Sequence, residues 1–386
     1  MKKKLIIFSI LVLLLMLPNA VTIISAEADQ LNDSINEQIE NIDLSGLQDF
    51  LDSQTNLPNN VDFFQMISDL LSGNYKSEAA SAVEYVFEIL LNGVYRTIPV
   101  IISVLAIAII CSLVKNLRMS NCSSGVILAI NFVSISVVIV LVGTQLLSFF
   151  NETKNIIENI ANLSEIMSPI ILTLMVASGG NVSAGIYSPT VSFLSSGIIN
   201  IFLSIILPIV GVTMIIAVIS SLSDNVKLNK LSDFFSSILK WIFGLTVTVF
   251  SLFLTVQGIA AATFDGISIK AAKYAISNSI PIVGGFISGG FDLVLAGSVI
   301  IKNTLGIVTV FILFYVVVYP IINMAVFSML LKLVSGLVEP TGENNISGFC
   351  TAVSKSISYL IAAVACVGLM LFITILLMMF SASALV

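Results

Sequence analysis

Histidine is absent from the 386 residues. The commonest general base at neutral pH and the commonest metal ligand are therefore missing together. Charge is scarce too, at 10% of the chain, and no stripe of Lys or Arg is dense enough to neutralise a phosphate backbone, which argues against nucleic acid as a partner. The cysteines Cys111, Cys122, Cys350 and Cys366 show no CxxC spacing, and Cys111 and Cys366 sit inside apolar runs, so they read as small apolar residues. No Walker motif, zinc pattern, GxSxG or Ser/His arrangement occurs. The sequence offers catalysis nothing to stand on; it reads as no enzyme, with no cofactor and no metal.

What the chain has is apolar surface. It is 57% hydrophobic with a mean hydropathy of +1.08, more than a water-soluble fold can bury, so the expected class is an all-α polytopic membrane protein in contact with the lipid bilayer. The net charge of −6 is local, because residues 29–95 hold twelve Asp or Glu against Lys76 alone. Lys2, Lys3 and Lys4 precede an apolar run over residues 5–17, followed by Ala26-Glu27-Ala28, the pattern of a signal peptide. A signal anchor is the alternative; a helix over that run rises about 20 Å, short of the roughly 30 Å hydrocarbon core. The reading is a signal peptide at 1–28, an acidic extracytoplasmic helical N-domain at 29–95, and a first span with a basic cytoplasmic loop at 96–124. A C-terminal transmembrane helix occupies 351–386.

Between these, the sequence carries two copies of one unit, at 125–236 and 237–350. Gln145 and Gln257, the glutamines that follow residue 65, are 112 residues apart; so are Pro169 and Pro281, and so are Pro208 and Pro320. Each copy reaches Ser-Gly-Gly, at Ser178-Gly179-Gly180 and Ser288-Gly289-Gly290, after a two-residue slip. Lys115 and Arg118 lie at the start of the first unit and Lys227, Lys230 and Lys240 at the start of the second, so both units begin on the cytoplasmic side and are parallel. Residues 170–177 are too few to cross, about 12 Å. They either dip in and turn back at the Gly-Gly pair as a re-entrant segment, or form a kinked helix pair. Pro208 and Pro320 are expected to kink the spans that follow.

Candidate pathway or helix-packing residues follow from what is expensive or permissive in a membrane. Asp292 and Lys302 are ionisable groups in an apolar stretch, ten residues apart and so near one helical face. Lys302 is expected to snorkel to the interface. Gln145 and Gln257 are expected to bond neighbouring helices. Gly179, Gly180, Gly289 and Gly290 permit turns, and Gly285 with Gly289 forms GxxxG, which permits close backbone approach.

Leu222-Ser223-Asp224 with Lys227 and Leu231, Val256-Gln257-Gly258 with Ala261 and Ala262, Asp265-Gly266 with Ile269, Lys273 and Pro281, Ala296-Gly297-Ser298, and Lys302-Asn303-Thr304-Leu305-Gly306 together resemble the stage III sporulation protein AE family of endospore-forming bacteria. The similarity covers the chain from about Arg96 to its end, with a looser match over 29–75. The resemblance implies a multi-pass protein of the mother-cell membrane around the forespore, the membrane core of a trans-envelope channel or secretion-like complex supporting late forespore sigma factor G. It implies as partners the other stage III sporulation A-operon proteins, an ATPase and ring-forming subunits, and indirectly stage II sporulation protein Q; homo-oligomerisation stays open. A self-contained secondary transporter of a small solute would suit the repeat equally, but ion-coupled carriers usually concentrate ionisable groups at mid-membrane, where Asp292 stands nearly alone.

Overall fold

The computed structural model describes residues 35, 38, 39, 42–54, 63–71, 78–118, 124–222, 228–279 and 284–381, and the side chains of most of them; those at 257–279 and 284–293 are among the exceptions. Among the described residues nearly all are helical and none is in a strand. Two short N-terminal helices, α1 (Ser45–Ser53) and α2 (Phe63–Leu71), precede six long ones. These are α3 (Glu78–Arg118), α4 (Ser124–Ala177), α5 (Asn181–Leu222), α6 (Asn229–Ser279), α7 (Gly284–Val338) and α8 (Asn344–Phe380). All six contain a stretch long and apolar enough to cross a bilayer, and the protein is a multi-pass membrane protein. A backbone that satisfies its own hydrogen bonds is what the lipid interior demands.

The helices alternate in direction. α4 packs antiparallel to α7, with Phe149 edge-on to Phe327 at 5.3 Å and Thr153 near Met324. α7 packs antiparallel to α8 through Ser328–Ser354 and Ser335–Ser347. α5 is antiparallel to α6, through Phe202–Phe243 and Phe193–Phe253. α3 runs parallel to α7, with Tyr85 at Tyr315 and the Ser112 hydroxyl on the Thr341 carbonyl. The C-terminal ends of α3, α5 and α7 therefore point to one side of the bundle, and the turn at Gly179 and the end of α8 at Phe380 to the other.

Several helices are far longer than a membrane is thick: α4 has 54 residues and α7 has 55, about 80 Å at 1.5 Å per residue against a core of roughly 30 Å. The boundaries expected at 95/96, 236/237 and 350/351 all fall inside helices. α4 ends at Ala177 and α6 at Ser279, 102 residues apart against the 112 of the glutamines and prolines.

The N-terminal helices dock on the bundle. α1 lays Gly46 against Ile166 of α4, and Asn159 donates to the Gln54 side-chain oxygen at 3.0 Å. α2 places Phe63 edge-on to Tyr315 of α7, a fully buried ring that also meets Tyr85 and Phe314. Aromatic pairs in this geometry contribute about 0.5–1.5 kcal/mol each beyond area burial. The chain enters α1 through Asp43, whose carboxylate accepts from the Ser45 hydroxyl at 2.6 Å and from its backbone N–H at 3.0 Å. Those two bonds favour the ionised form and hold the carboxyl below its ordinary range.

Candidate functional site

The first Ser-Gly-Gly ends α4 in a Schellman turn. Gly180 N–H reaches the Met175 carbonyl at 2.8 Å and Gly179 N–H the Val176 carbonyl at 2.9 Å, with Gly179 at φ 84. A side chain disfavours that left-handed conformation, which is why glycine occupies it. The helix before it runs unbroken through Pro169, so residues 170–177 are the last turns of α4 and not a separate segment dipping into the membrane.

The second Ser-Gly-Gly behaves differently. Gly289 and Gly290, with Gly285, lie inside α7, which is helical from Gly284, so the turn expected at this pair is not there. Glycine in a helix costs about 1 kcal/mol relative to alanine. That is less than leaving backbone groups without partners in an apolar setting. Pro281 falls outside the described residues, as do the side chains of Gln257 and Asp292, whose backbones belong to α6 and α7. Gln145 is half-buried on α4.

Pro208 sits at the second position of the α-helical end of α5, directly after two wide π turns, Phe193–Ile198 and Phe202–Ile206. A proline removes one N–H and crowds the carbonyl four residues back; a π turn, with its i→i+5 bonds, widens the helix just where that clash arises. The same turns present Phe193 and Phe202 to Phe253 and Phe243 of α6. Pro320 lies within α7, which continues on both sides of it.

Lys302 does not snorkel. It is fully buried, and its ammonium donates to the carbonyl of Ser381, the residue that caps the C-terminus of α8. The end of a helix carries partial negative charge, so a cation there is stabilised by the dipole as well as by the bond. Its buried charge is thus spent on holding a helix end.

The sequence reading missed a polar seam between α7 and α8. Ser335 meets Ser347 at 2.9 Å and Thr351 at 2.7 Å, Ser328 meets Ser354 at 2.8 Å, and both serine pairs also bond each other's backbone carbonyls. The signal was legible: Ser328 and Ser335 are seven apart, as are Ser347 and Ser354, which places them on one face of each helix. Close by, Asn131 of α4 and Glu343, Asn344 and Asn345 at the start of α8 line a cavity of about 80 Å³. Among the described residues no group of three or more His, Cys, Asp or Glu could hold a metal ion.

Long helices, buried hydroxyl seams and one clamped lysine describe a packed membrane bundle, and comparison with known proteins supplies its family. The family model described as Stage III sporulation protein AE (spore_III_AE) matches residues 61–382. The chain belongs to that family. It is 28% identical over 292 residues to the Stage III sporulation protein AE of Bacillus subtilis (strain 168), covering 75% of this chain and 72% of that one. No solved structure matches.

Proposed function

We propose that this sporulation protein is a non-enzymatic core subunit of a membrane complex that joins mother cell and forespore, and that it supports late forespore sigma factor G activity. Its companions are an ATPase and ring-forming subunits of the same operon and, through them, stage II sporulation protein Q. The observation that carries this reading over a solute carrier is the use made of buried charge. Among the described side chains the charged ones that are buried are Lys302 and Glu343; the first is bonded to a helix end and the second stands at the start of α8, so these two form no relay across the bundle. The mother-cell membrane location and the extracytoplasmic N-domain belong to the same proposal. The extracytoplasmic N-domain is supported by the direction of α3, which ends at Lys115 and Arg118, residues the positive-inside rule puts in the cytoplasm.

The test is genetic and biochemical together. Removing the protein from a sporulating cell should abolish a sigma factor G reporter in the forespore, and a tagged chain should retain the ATPase and ring-forming companions on solubilisation. Solute flux by the purified chain alone in liposomes, with reporter activity intact in its absence, would replace this reading with that of a carrier.

A further inference from the structure

Ser188, Ser192, Ser196, Asn200 and Ser204 of α5 are all exposed, one every four residues. In an α-helix residues four apart drift by about 40° a step, enough over this row to carry it almost halfway round. The two π turns, Phe193–Ile198 and Phe202–Ile206, hold more residues per revolution and keep the row on one face, while Val191, Leu194, Ile198 and Phe202 between its members are buried. α5 is long and apolar enough to cross a bilayer, so an outward polar row is the opposite of what lipid favours. A single serine is tolerated there because its hydroxyl can turn back, as that of Ser192 does onto the Ser188 carbonyl at 3.3 Å. Asn200 is not satisfied in this way: its amide donates to the Ser196 carbonyl at 2.5 Å, which occupies a single one of the carboxamide's hydrogen-bonding positions.

The neighbouring helices show what this face meets. α4 runs beside α5 from the turn at Gly179, and Gly211 lies against Phe150, so Ser196 is about level with Glu165. Over this length α4 also turns polar residues outward, Asn155, Asn162, Glu165 and Thr173. α6 does the reverse. Phe202 meets Phe243 at 5.7 Å and Phe193 meets Phe253 at 5.0 Å, which sets the row level with the stretch of α6 that exposes Trp241, Leu245, Val249, Leu252 and Val256. No charged residue occurs from Trp241 to Phe264. Toward the Leu222 end the pattern inverts: α5 exposes Ile205, Val212, Ile215 and Ile219, and α6 exposes Lys230, Asp233 and Lys240. The two helices are out of phase, and one flat boundary between lipid and water cannot suit both. At the Leu222 end side chains relieve the mismatch, because lysine is long enough to snorkel and Asp233 is paired with Lys355 at 3.4 Å. Serine and asparagine are too short to reach water, so along the row water must reach them.

We infer that the face of α5 from Ser188 to Ser204, with the polar face of α4 beside it, borders a water-filled recess at the depth where α6 faces lipid. The recess opens toward the Gly179 turn and is floored at Ile205. Irregular or polar surface at membrane depth is stable where water has access to it, and here hydroxyls, carboxamides and the Glu165 carboxylate supply the wall. The inference goes beyond the proposed function and does not depend on it, since a wet face would serve a carrier as well as a complex subunit.

The full chain, in a form lacking the native cysteines and held in open membrane fragments that expose both faces, suffices for the test. A charged, membrane-impermeant thiol reagent should modify Ser196→Cys and Asn200→Cys roughly tenfold faster, or more, than Val249→Cys and Leu252→Cys, because a thiol ionises in contact with water and not in lipid. All four positions are exposed, so the variants should keep the parent's abundance. A smaller ratio overturns the inference, whether both helices react slowly, as beneath a covering protein, or both quickly, as beyond the bilayer.

Discussion

Alanine placed at Gly368 and at Gly348 of α8 should change stability in opposite directions, because the same chemical change meets different surroundings. Glycine to alanine inside a helix gains about 1 kcal/mol from reduced backbone entropy in the unfolded chain. At Gly348 the added Cβ has nothing within 4 Å, so that gain stands. At Gly368 the Cβ would sit 3.0 Å from Cγ2 and 3.3 Å from Cγ1 of Val317 on α7. Valine in a helix keeps essentially one χ1 rotamer and cannot swing aside, so relief must come from separating α7 and α8. Overpacking of this kind costs about 1–3 kcal/mol, which outweighs the propensity gain or at best cancels it. The net expectation is stabilisation by up to ~1 kcal/mol at Gly348 and destabilisation by up to ~2 kcal/mol at Gly368. Thermal unfolding of the purified chain in one detergent, followed by loss of the monodisperse species, reads the difference as a few degrees of opposite sign. If Gly368→Ala proves as stable as Gly348→Ala, the close α7–α8 contact at Val317 is not part of the folded protein.

The Schellman turn predicts a contrast between neighbours: Gly179→Ala, at φ 84, should lose about 1–2 kcal/mol in the same assay, whereas Gly180→Ala, at φ −83, should lose little. Lys302→Met should lower protein abundance and speed hydrogen exchange at residues 377–381, with Lys302→Arg retaining part of the protection; normal abundance with loss of sporulation would instead assign Lys302 to a transport path. Asp43 gives a pH-dependent contribution. Because its folded-state pKa is lowered, the stabilisation is present above the ordinary carboxylate range and is lost as pH falls through the depressed value, so Asp43→Asn should loosen the first turn of α1 at pH 7 and make no difference near pH 2. Amide exchange at Ser45 measures it.

The helical class and the spans were legible because each is a local property: an apolar run long enough to cross announces itself wherever it occurs. The glycine pairs show where local reading stops. Ser178-Gly179-Gly180 and Ser288-Gly289-Gly290 are the same three residues, yet one turns and the other continues as helix, because glycine permits a turn without compelling one. The fate of Lys302 was equally hidden, since its partner, Ser381, lies 79 residues away and reaches it only when α7 and α8 pair. The height of each span in the bundle is a property of the same kind. Hydropathy centres every apolar run on its own residues, and a one-run-one-bilayer reading then aligns them all in a single slab. The contacts of Ser112 with Thr341 and of Gly368 with Val317 instead set the uncharged run of α3 beside the C-terminal part of α7 and that of α8 beside its middle.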